Sequence, residues 1–380
     1  MKICFLTHNL KQDNGLGVFS LRVINGIIKT LSCDALVLTT KPSGFPNERP
    51  AFSSGEARSL DERPILYPNR FRLTFAIPMI RRAIKECDVV HCLDAFPYGF
   101  LAAICSIGLK KKIIITGLGT AAIGPLYKPV LASMLRYAYR RADCVTTVSI
   151  FMKEEIQKKM PDLALRIISM GVDMRDFEYK EGEKVHYDCS AYKPYILGVG
   201  AVRWRKGYHF TIRSFAKVLK EFPDLNYVIV GRRYSDAYHE RLEKLIDELH
   251  LRGKVHILED VDTREELNDV YHGAELFCLF SQNVNHDVEG FGLVFLEAAA
   301  AGLPVVGSKN CGIEDAVRDG KNGLLVPTRS PDDFADAMLK ILRDPGLKKR
   351  MAVESLTYAR ECTWEKRIGE YIDIYNKLDS

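Results

Sequence analysis

The feature that most constrains the fold of this chain is a repeated alternation of short, β-rich apolar segments with helical patterns. In the first half, strands are predicted at residues 2–7, 35–40, 89–93, 112–116, 144–148 and 166–170. Helical patterns lie between them, for example at residues 18–31 and 126–142. Strands that alternate with helices favour a parallel sheet with crossover helices on both faces. The first half therefore predicts a doubly wound α/β domain.

The same alternation starts again after a polar stretch at residues 175–193, which predicts a linker. Further strands are predicted at residues 195–200, 227–231, 254–258, 276–280, 304–308 and 324–326, with helices at 211–222, 238–251, 264–272 and 292–301. Thr263 followed by Glu266 is a capping-box pattern that predicts the start of the third of these helices. The second half therefore predicts a second doubly wound domain.

These patterns divide the 380 residues into three parts. We predict a first Rossmann-like domain at residues 1–175, a second at residues 193–362, and a C-terminal helix at 363–380 that packs back toward the first domain. The two domains are expected to face each other across a cleft. In open α/β sheets, ligands bind beyond the carboxyl ends of the strands, so we expect the site there.

Composition indicates a globular protein outside the membrane. Hydrophobic residues make up 47% and charged residues 27% of the chain. No apolar run approaches the roughly 20 residues of a spanning helix, and the apolar N-terminus is too short for a signal peptide. The ten cysteines form no C-x-x-C pair, which gives no support to a zinc or redox motif and predicts buried thiols in a reducing cytoplasm. We expect a cytoplasmic location and no nucleic-acid partner.

Charge is distributed unevenly along the chain. Residues 1–180 carry 26 Lys and Arg against 16 Asp and Glu, whereas residues 181–380 carry 28 against 33. The amphipathic stretches at 70–87 and 126–141 contribute to this basic first half. Peripheral docking on an anionic membrane surface would explain them, and so would solvated basic faces over a core. Both interpretations remain open at this stage.

The most informative segment for chemistry lies at residues 287–306. It places Glu289 before a predicted helix and Glu297 about two turns into that helix. Gly290 and Gly292 let the backbone approach a ligand closely, and the unpaired N–H groups at a helix start suit a diphosphate. Glu297 can accept hydrogen bonds from ribose hydroxyls, and Glu289 can face the hydroxyls of a sugar.

A second informative segment lies at residues 200–207, directly after the first strand of the second domain. Lys206 on this loop can neutralise the negative charge of a diphosphate.

Taken together, these motifs resemble family 4 of the retaining glycosyltransferases, which have the GT-B fold. The resemblance rests on the Glu289-x7-Glu297 block, on residues 302–306 and on residues 319–327, and it extends over nearly the whole chain. In the first half, Gly15-Leu16-Gly17 looks like the glycine loop of that family. This pair of glycines lacks a third one at Ser20, so the dinucleotide fingerprint of a nicotinamide dehydrogenase fails.

The resemblance implies roles for particular residues. Glu289, Lys206 and Arg203 are the expected catalytic residues, and His91 is expected on the acceptor side. The expected donor-binding residues are Gly15, Gly17, Arg205, Lys206, Gly290, Phe291, Gly292, Leu293 and Glu297.

The chain departs from the family pattern at two positions. Ala201 stands where relatives have an arginine, so Arg203 or Arg205 would substitute for it. Leu118 stands where many relatives have a histidine.

The activity implied is retaining transfer of a hexose from a nucleotide diphosphate sugar to a glycan or lipid-linked acceptor. Mannose from GDP-mannose is the first expectation, and UDP-glucose or UDP-N-acetylglucosamine is the alternative. The expected mechanism is front-side attack that relies on position and electrostatics, with no cofactor and no metal. A catalytically silent nucleotide-sugar-binding subunit is the rival that the two departures suggest.

Overall fold

The computed structural model describes residues 1–11, 15–42, 60–67, 70–179, 182, 184–328 and 330–379. The chain divides into two compact units. Unit 1 comprises Met1–Met170 with Trp364–Ser380, and unit 2 comprises Gly171–Thr363. Each unit is built on one parallel sheet, so two doubly wound α/β units are present, as the alternating pattern predicts.

Unit 1 consists of seven strands and eight α-helices among the described residues. The strands are β1 (Lys2–Leu6), β2 (Asp34–Leu38), β3 (Leu60–Arg63), β4 (Val89–Cys92), β5 (Lys112–Gly117), β6 (Cys144–Thr147) and β7 (Arg166–Ile167). The helices are α1 (Gly15–Leu31), α2 (Arg70–Phe75), α3 (Ile77–Lys85), α4 (Phe100–Cys105), α5 (Thr120–Ile123), α6 (Pro129–Arg141), α7 (Ile150–Gln157) and, at the C-terminus, α14 (Trp364–Asp379).

The sheet of unit 1 has the order β3-β2-β1-β4-β5-β6-β7, and every pair in it is parallel. The strand order reverses between β1 and β4, which makes this the switch point where a doubly wound sheet opens a crevice beyond its strand ends. Strand β3 was not predicted, because its residues Leu-Asp-Glu-Arg carry no apolar run. It forms the edge beside β2, where half-buried polar side chains are tolerated.

Unit 2 consists of six strands and six α-helices among the described residues. The strands are β8 (Tyr195–Val199), β9 (Asn226–Val230), β10 (Val255–Leu258), β11 (Leu276–Leu279), β12 (Val305–Ser308) and β13 (Gly323–Val326). The helices are α8 (Tyr208–Val218), α9 (Asp236–Glu248), α10 (Arg264–Gly273), α11 (Leu293–Ala300), α12 (Pro331–Arg343) and α13 (Pro345–Glu361). The predicted capping box at the start of α10 is confirmed.

The sheet of unit 2 has the order β10-β9-β8-β11-β12-β13, again wholly parallel. Its switch point lies between β8 and β11 and therefore corresponds to the β1–β4 switch point of unit 1. Strands β8, β9 and β11 are buried on both faces, as expected for a sheet covered by helices on both sides. The loops after β8 and β11 carry the segments from which the sequence predicts the site.

The stretch predicted as a linker is packed against unit 2 in several places. The carboxylate of Asp269 on α10 accepts hydrogen bonds from the backbone of His186 and Tyr187. The His272 ring contacts the carbonyl oxygen of Phe177 at 2.9 Å. The division between the units falls after Met170, earlier than the boundary predicted at residue 175.

The C-terminal helix α14 belongs to unit 1. It packs on α1, where a side chain added at Gly26 would meet Ile368, and the Trp364 ring lies edge-on to Phe19. Tyr371 and Tyr375 of α14 are fully buried and contact the His91 ring. The apolar residues at helical spacing on α14, which include Trp364, Ile368, Tyr371 and Tyr375, therefore form part of the core of unit 1.

Gly207 is the residue that fixes the loop after β8. Its φ of +66° lies in the left-handed region, and a Cβ at this position would stand 1.9 Å from the Phe280 carbonyl oxygen. Only glycine allows the loop to press so closely against the end of β11. This close approach brings the preceding residue, Lys206, toward the segment that follows β11.

Candidate active site

The centre of the candidate site is a buried ion pair at the β8–β11 switch point. The Nζ atom of Lys206, which ends a 3-10 turn after β8, donates to Glu289 Oε2 at 2.7 Å. Both side chains are about nine-tenths buried. Ser281 Oγ, directly beyond β11, donates to the same carboxylate oxygen at 3.0 Å. The two residues that the sequence places 83 positions apart are thus in direct contact.

Arg205 adds a second cation to the same carboxylate. Its Nη1 lies 2.8 Å from Glu289 Oε2, and its Nε lies 3.3 Å from Asp287 Oδ1. Both nitrogens are buried and lack a well-aligned hydrogen bond within the described part of the chain. Ion pairs with these two carboxylates hold the guanidinium in place.

Arg203 lies on the outer side of this cluster. It pairs with Asp287, and its guanidinium stacks over the Tyr234 ring at 4.6 Å. Within the described part of the chain, Arg205 forms an ion pair with Glu289 and Arg203 does not. Of the two arginines that could compensate for Ala201, Arg205 is the one whose guanidinium shares a carboxylate with Lys206.

The charges of this cluster determine its ionisation. Burial alone would raise the pKa of Glu289, but Arg205 and Lys206 outweigh it and hold that pKa well below its ordinary value. Burial lowers the pKa of Lys206, and Glu289 opposes that shift. The carboxylate is therefore ionised at neutral pH. Three cations face the two carboxylates of Asp287 and Glu289, so the cluster has an excess of positive charge.

The segment Gly290–Leu293 forms the entrance to α11. Gly292 has a φ of +84° and occupies the N-cap position of the helix. Phe291 is buried, and Leu293 is half-buried. A Cβ at Gly312 would stand 2.1 Å from the Gly290 carbonyl oxygen, so the two glycine backbones touch. The first N–H groups of α11, which have no partner within the helix, therefore lie beside a closely packed backbone.

Glu297 lies inside α11 in a network of its own. Its Oε1 accepts a hydrogen bond from Arg264 Nη1 at 2.8 Å, and its Oε2 accepts one from the Tyr271 hydroxyl at 3.2 Å. Burial lowers the pKa of Arg264, but the carboxylate of Glu297 outweighs it and the net shift is upward. Sequence analysis did not single out Arg264 or Tyr271, because both belong to α10 and only folding brings that helix beside α11.

The predicted residues of the first half lie in unit 1. Gly15 begins α1, and a Cβ at Gly17 in its first turn would stand 1.8 Å from the Lys11 carbonyl oxygen. Residues 12–14, which precede the predicted glycine loop, lie outside the described residues. Leu118 follows β5 and is half-buried.

His91 occupies a core position, which argues against the direct acceptor-side role expected for it. It is fully buried on β4, with Nδ1 2.8 Å from the Tyr375 hydroxyl and Nε2 2.9 Å from the Thr116 hydroxyl. Burial lowers the pKa of His91 to about 3, so the ring is neutral. Nδ1 joins β4 to α14 through Tyr375, and Nε2 joins β4 to β5 through Thr116.

The described residues include one Asp-x-Asp triplet, Asp260-Val261-Asp262. Asp-x-Asp holds the metal in the other large glycosyltransferase fold. Here Asp260 accepts a hydrogen bond from the Tyr187 hydroxyl, and Asp262 pairs with Arg232. Within the residues that the structure describes, no group of three or more His, Cys, Asp or Glu side chains is placed to hold a metal ion.

All ten cysteines are free thiols, and nine of them are buried, in agreement with the prediction. Over the described part of the chain, no helix combines the length and apolar character needed to cross a bilayer.

Two family models match the chain, one in each half. "Glycosyltransferase Family 4" matches residues 14–176, and "Glycosyl transferases group 1" matches residues 187–356. Together they extend over most of the sequence.

Curated relatives are glycosyltransferases. The chain is 33% identical over 188 residues to the D-inositol 3-phosphate glycosyltransferase of Corynebacterium urealyticum, which is 48% of this chain but only 43% of that protein. It is 26% identical to the N-acetyl-alpha-D-glucosaminyl L-malate synthase of Bacillus anthracis, over 80% of this chain and 79% of that one. It is 27% identical to a GDP-mannose-dependent alpha-(1-6)-phosphatidylinositol monomannoside mannosyltransferase of Mycolicibacterium smegmatis, over 76% of each.

Solved structures resemble the whole chain. HepE of Anabaena in complex with UDP superposes with a TM-score of 0.77 at 17% identity, over 99% of this chain and all of that one. Sucrose-phosphate synthase of Thermosynechococcus elongatus superposes with a TM-score of 0.75 at 20% identity, over 100% of this chain and 99% of that one. At such identities the likeness concerns the fold. With its two parallel-sheet units and its family matches, this chain belongs to the family 4 glycosyltransferases of the GT-B fold.

Proposed function

We propose that this glycosyltransferase transfers a hexose from a nucleotide diphosphate sugar to a glycan or lipid-linked acceptor, with retention of the anomeric configuration. The observation that carries the proposal is the buried cluster of Lys206, Arg205 and Glu289 at the switch point of unit 2. A buried cluster with surplus positive charge suits a diphosphate, and ligands of doubly wound sheets bind at switch points.

The cations of the cluster would hold the leaving group. As the bond between C1 and the diphosphate breaks, negative charge grows on the phosphate oxygens. Lys206 and Arg205 would stabilise that charge from positions fixed by their ion pairs with Glu289. Arg205 would therefore replace the arginine that relatives have at the position of Ala201. Arg203 would act on the diphosphate from the outer side of the cluster. The start of α11 would donate further N–H groups.

The two glutamates would hold the sugars. The contacts that Lys206, Arg205 and Ser281 make with the Glu289 carboxylate meet at Oε2, and Oε1 accepts no hydrogen bond from the described residues. We assign Oε1 to the hydroxyls of the transferred hexose. Glu297 would receive the ribose hydroxyls through the remaining lone pairs of its oxygens, while Arg264 and Tyr271 keep it oriented.

The step itself requires no covalent enzyme intermediate. The C1–O bond to the diphosphate breaks, the acceptor oxygen bonds to C1 from the same face, and the acceptor proton passes to the departing phosphate oxygen. The protein would contribute position and electrostatic stabilisation. Such a step needs no metal ion, so transfer should persist in EDTA.

The donor is the least constrained part of this proposal. A relative named for GDP-mannose favours that donor, and a structural neighbour solved with UDP favours a uridine nucleotide. We propose GDP-mannose first, with UDP-glucose and UDP-N-acetylglucosamine as the alternatives. A silent binding subunit is the rival function, but the intact Lys206–Glu289 pair supports an active enzyme.

A nucleotide panel should identify the donor. A ligand that binds only the folded protein stabilises it by RT ln(1 + [L]/Kd), about 2.7 kcal/mol at a hundredfold excess over Kd. We expect the nucleotides of one base, guanine or uracil, to raise the melting temperature much more than those of the other base. This should hold for the nucleoside diphosphate and for the sugar nucleotide. That sugar nucleotide should then be slowly hydrolysed without acceptor. No shift from any nucleotide at millimolar concentration would contradict the proposal, and a shift without hydrolysis would favour the silent subunit.

We also propose that unit 1 docks on an anionic membrane surface. Phe75 and Met79 on α2 and α3 and Val130 on α6 are exposed large apolar side chains, with exposed fractions of 80%, 49% and 74%. Two exposed basic residues accompany them: Arg82 lies on α3, and Lys128 directly precedes α6. A lipid-linked acceptor would be met at such a surface.

Replacing Phe75 should weaken this docking. We expect Phe75→Ser to reduce sedimentation with phosphatidylglycerol-containing vesicles at least threefold, because an exposed aromatic side chain that enters the interface contributes apolar burial. The control is Val353→Ser, an exposed apolar residue of α13 in unit 2. Equal binding of both variants, or no dependence on the anionic lipid, would contradict the assignment.

A further inference from the structure

Unit 1 has polar residues at its own switch point that the proposed chemistry does not yet use. His8 lies beyond the end of β1, and Asp94 lies beyond the end of β4. The two strands are adjacent and parallel, and the backbone of Leu93 donates to the carbonyl oxygen of Leu6 at 2.9 Å. Asp94 therefore occupies the position in unit 1 where a doubly wound sheet receives its ligand.

The Asp94 carboxyl has no structural partner that explains it. It stands at the N-cap of the turn Ala95–Gly99, but its side chain makes no capping hydrogen bond. The third residue after it is Pro97, which has no N–H to donate. Within the described residues the Asp94 carboxyl makes no ion pair, and its hydrogen-bond donor there is the backbone N–H of Ala95. Burial raises the pKa of Asp94 to about 7.

Two further polar groups accompany this carboxyl. The Tyr98 hydroxyl lies 3.2 Å from His8 Nδ1, and burial followed by the charge of Asp94 raises the pKa of Tyr98. His8 is exposed, and Asp94 is half-buried, so the group opens to solvent. The pKa of His8 is lowered by burial and then by Lys41. Lys41 is thus the cation near His8, whereas no cation of the described residues shifts the pKa of Asp94.

We infer that Asp94, Tyr98 and His8 form an acceptor site that takes the uncharged hydroxyl groups of a sugar and disfavours a phosphate or carboxylate in the same place. This inference rests on the proposed transferase function. A carboxyl group accepts hydrogen bonds from neighbouring hydroxyls, and a phenol and an imidazole can each donate or accept. An anion placed beside this half-buried carboxyl, which no cation of the described residues compensates, meets repulsion and a desolvation cost instead.

The test compares acceptors with the donor that the nucleotide panel identifies. Methyl α-D-mannopyranoside and methyl α-D-glucopyranoside are the neutral acceptors, and glycerol 3-phosphate and L-malate are the anionic ones. We expect wild type to transfer to at least one neutral glycoside in preference to both anions. Asp94→Asn should raise the KM of that glycoside at least tenfold and change kcat less, because it removes acceptor binding rather than the chemistry.

The matched control is Asp88→Asn at the opposite end of β4. The Asp88 carboxylate accepts a hydrogen bond from the backbone of Lys2 at 2.7 Å, far along the strand from the proposed site. This variant should keep the wild-type KM. Asp94→Asn should remain folded, since the wild-type carboxyl costs folding stability that grows as the pH rises from its ordinary pKa of 3.8 to its folded value of about 7 and is complete at pH 8. At pH 8 its melting temperature should be at least that of wild type.

Several outcomes would overturn the inference. These are preference for either anion, no transfer to the neutral glycosides, or an unchanged KM in Asp94→Asn. The nucleotide-induced thermal shift separates this failure from failure of the proposed function. If the nucleotide-induced shift is present in wild type and in Asp94→Asn, the donor assignment stands, and any of these outcomes then contradicts only the acceptor assignment.

Discussion

Lys206→Ala should lower kcat/KM for sugar transfer by about a thousandfold. Loss of one preorganised charge at a developing oxyanion typically costs 10²–10³ in rate, and Lys206 would also contribute to binding of the diphosphate. Its ammonium group is held by Glu289 at 2.7 Å in a buried position, so no water can replace it at equal strength. Steady-state kinetics with the identified donor, together with the nucleotide-induced thermal shift, would measure both effects.

A second lysine of unit 2 provides the control for this variant. Lys217 on α8 pairs with Asp332 at the surface, and both side chains are well exposed. Lys217→Ala should keep the activity and the nucleotide shift of wild type, because exposed ion pairs contribute little. If Lys206→Ala transferred sugar at a rate within threefold of wild type, the assignment of the diphosphate to this cluster would have to be abandoned.

Glu289→Gln should give the second large effect, and it should separate the sugar from the nucleotide. The substitution leaves Lys206 and Arg205 buried without their shared carboxylate, and breaking a buried pair costs about 3–5 kcal/mol of folding stability. Transfer should fall at least a hundredfold. The free nucleoside diphosphate should still stabilise the variant, since the two cations remain. The additional stabilisation by the intact sugar nucleotide should disappear.

The pH dependence of this loss follows from the ionisation of the cluster. The pKa of Glu289 in the folded protein is depressed, so its stabilising effect is present above the ordinary glutamate pKa of 4.5 and is lost as the pH falls below it. The stability difference between wild type and Glu289→Gln should therefore be larger at pH 7 than at pH 4. Urea unfolding at both pH values would measure it.

The control for Glu289→Gln is Glu221→Gln. Glu221 pairs with Arg343 at the surface of unit 2, with about half of each side chain exposed. Its loss should change stability by no more than about 0.5 kcal/mol at either pH. A Glu289→Gln variant as stable and as active as Glu221→Gln would show that the ion pair with Lys206 has no functional weight.

The sequence alone determined the two-unit α/β architecture and most of the strands. Buried parallel strands are short apolar runs between helical patterns, and this signal is local in the chain. The same locality made the capping box of α10 predictable from Thr263 and Glu266. It failed for β3, whose polar residues become a strand only because β2 offers them a free edge.

The residues of the site were also predictable, but their interactions were not. Lys206 and Glu289 could be singled out from their motifs, whereas the choice between Arg203 and Arg205 required the contacts that only the folded chain supplies. His91 shows the reverse. The family resemblance placed it on the acceptor side, yet α14 returns to cover it and Tyr375 bonds to its ring.

What only the tertiary structure decided is which side chains meet across the sheet, because those contacts join segments far apart in sequence. Arg264 and Tyr271 orient Glu297 from a neighbouring helix, and no local pattern marks them. Asp94 is similar. In the sequence it is one carboxylate among many, and it becomes distinctive only because folding places it, half-buried, at a switch point where no cation of the described residues lies beside it. Electrostatic environment is a property of three-dimensional neighbours, so it cannot be read from spacing along the chain.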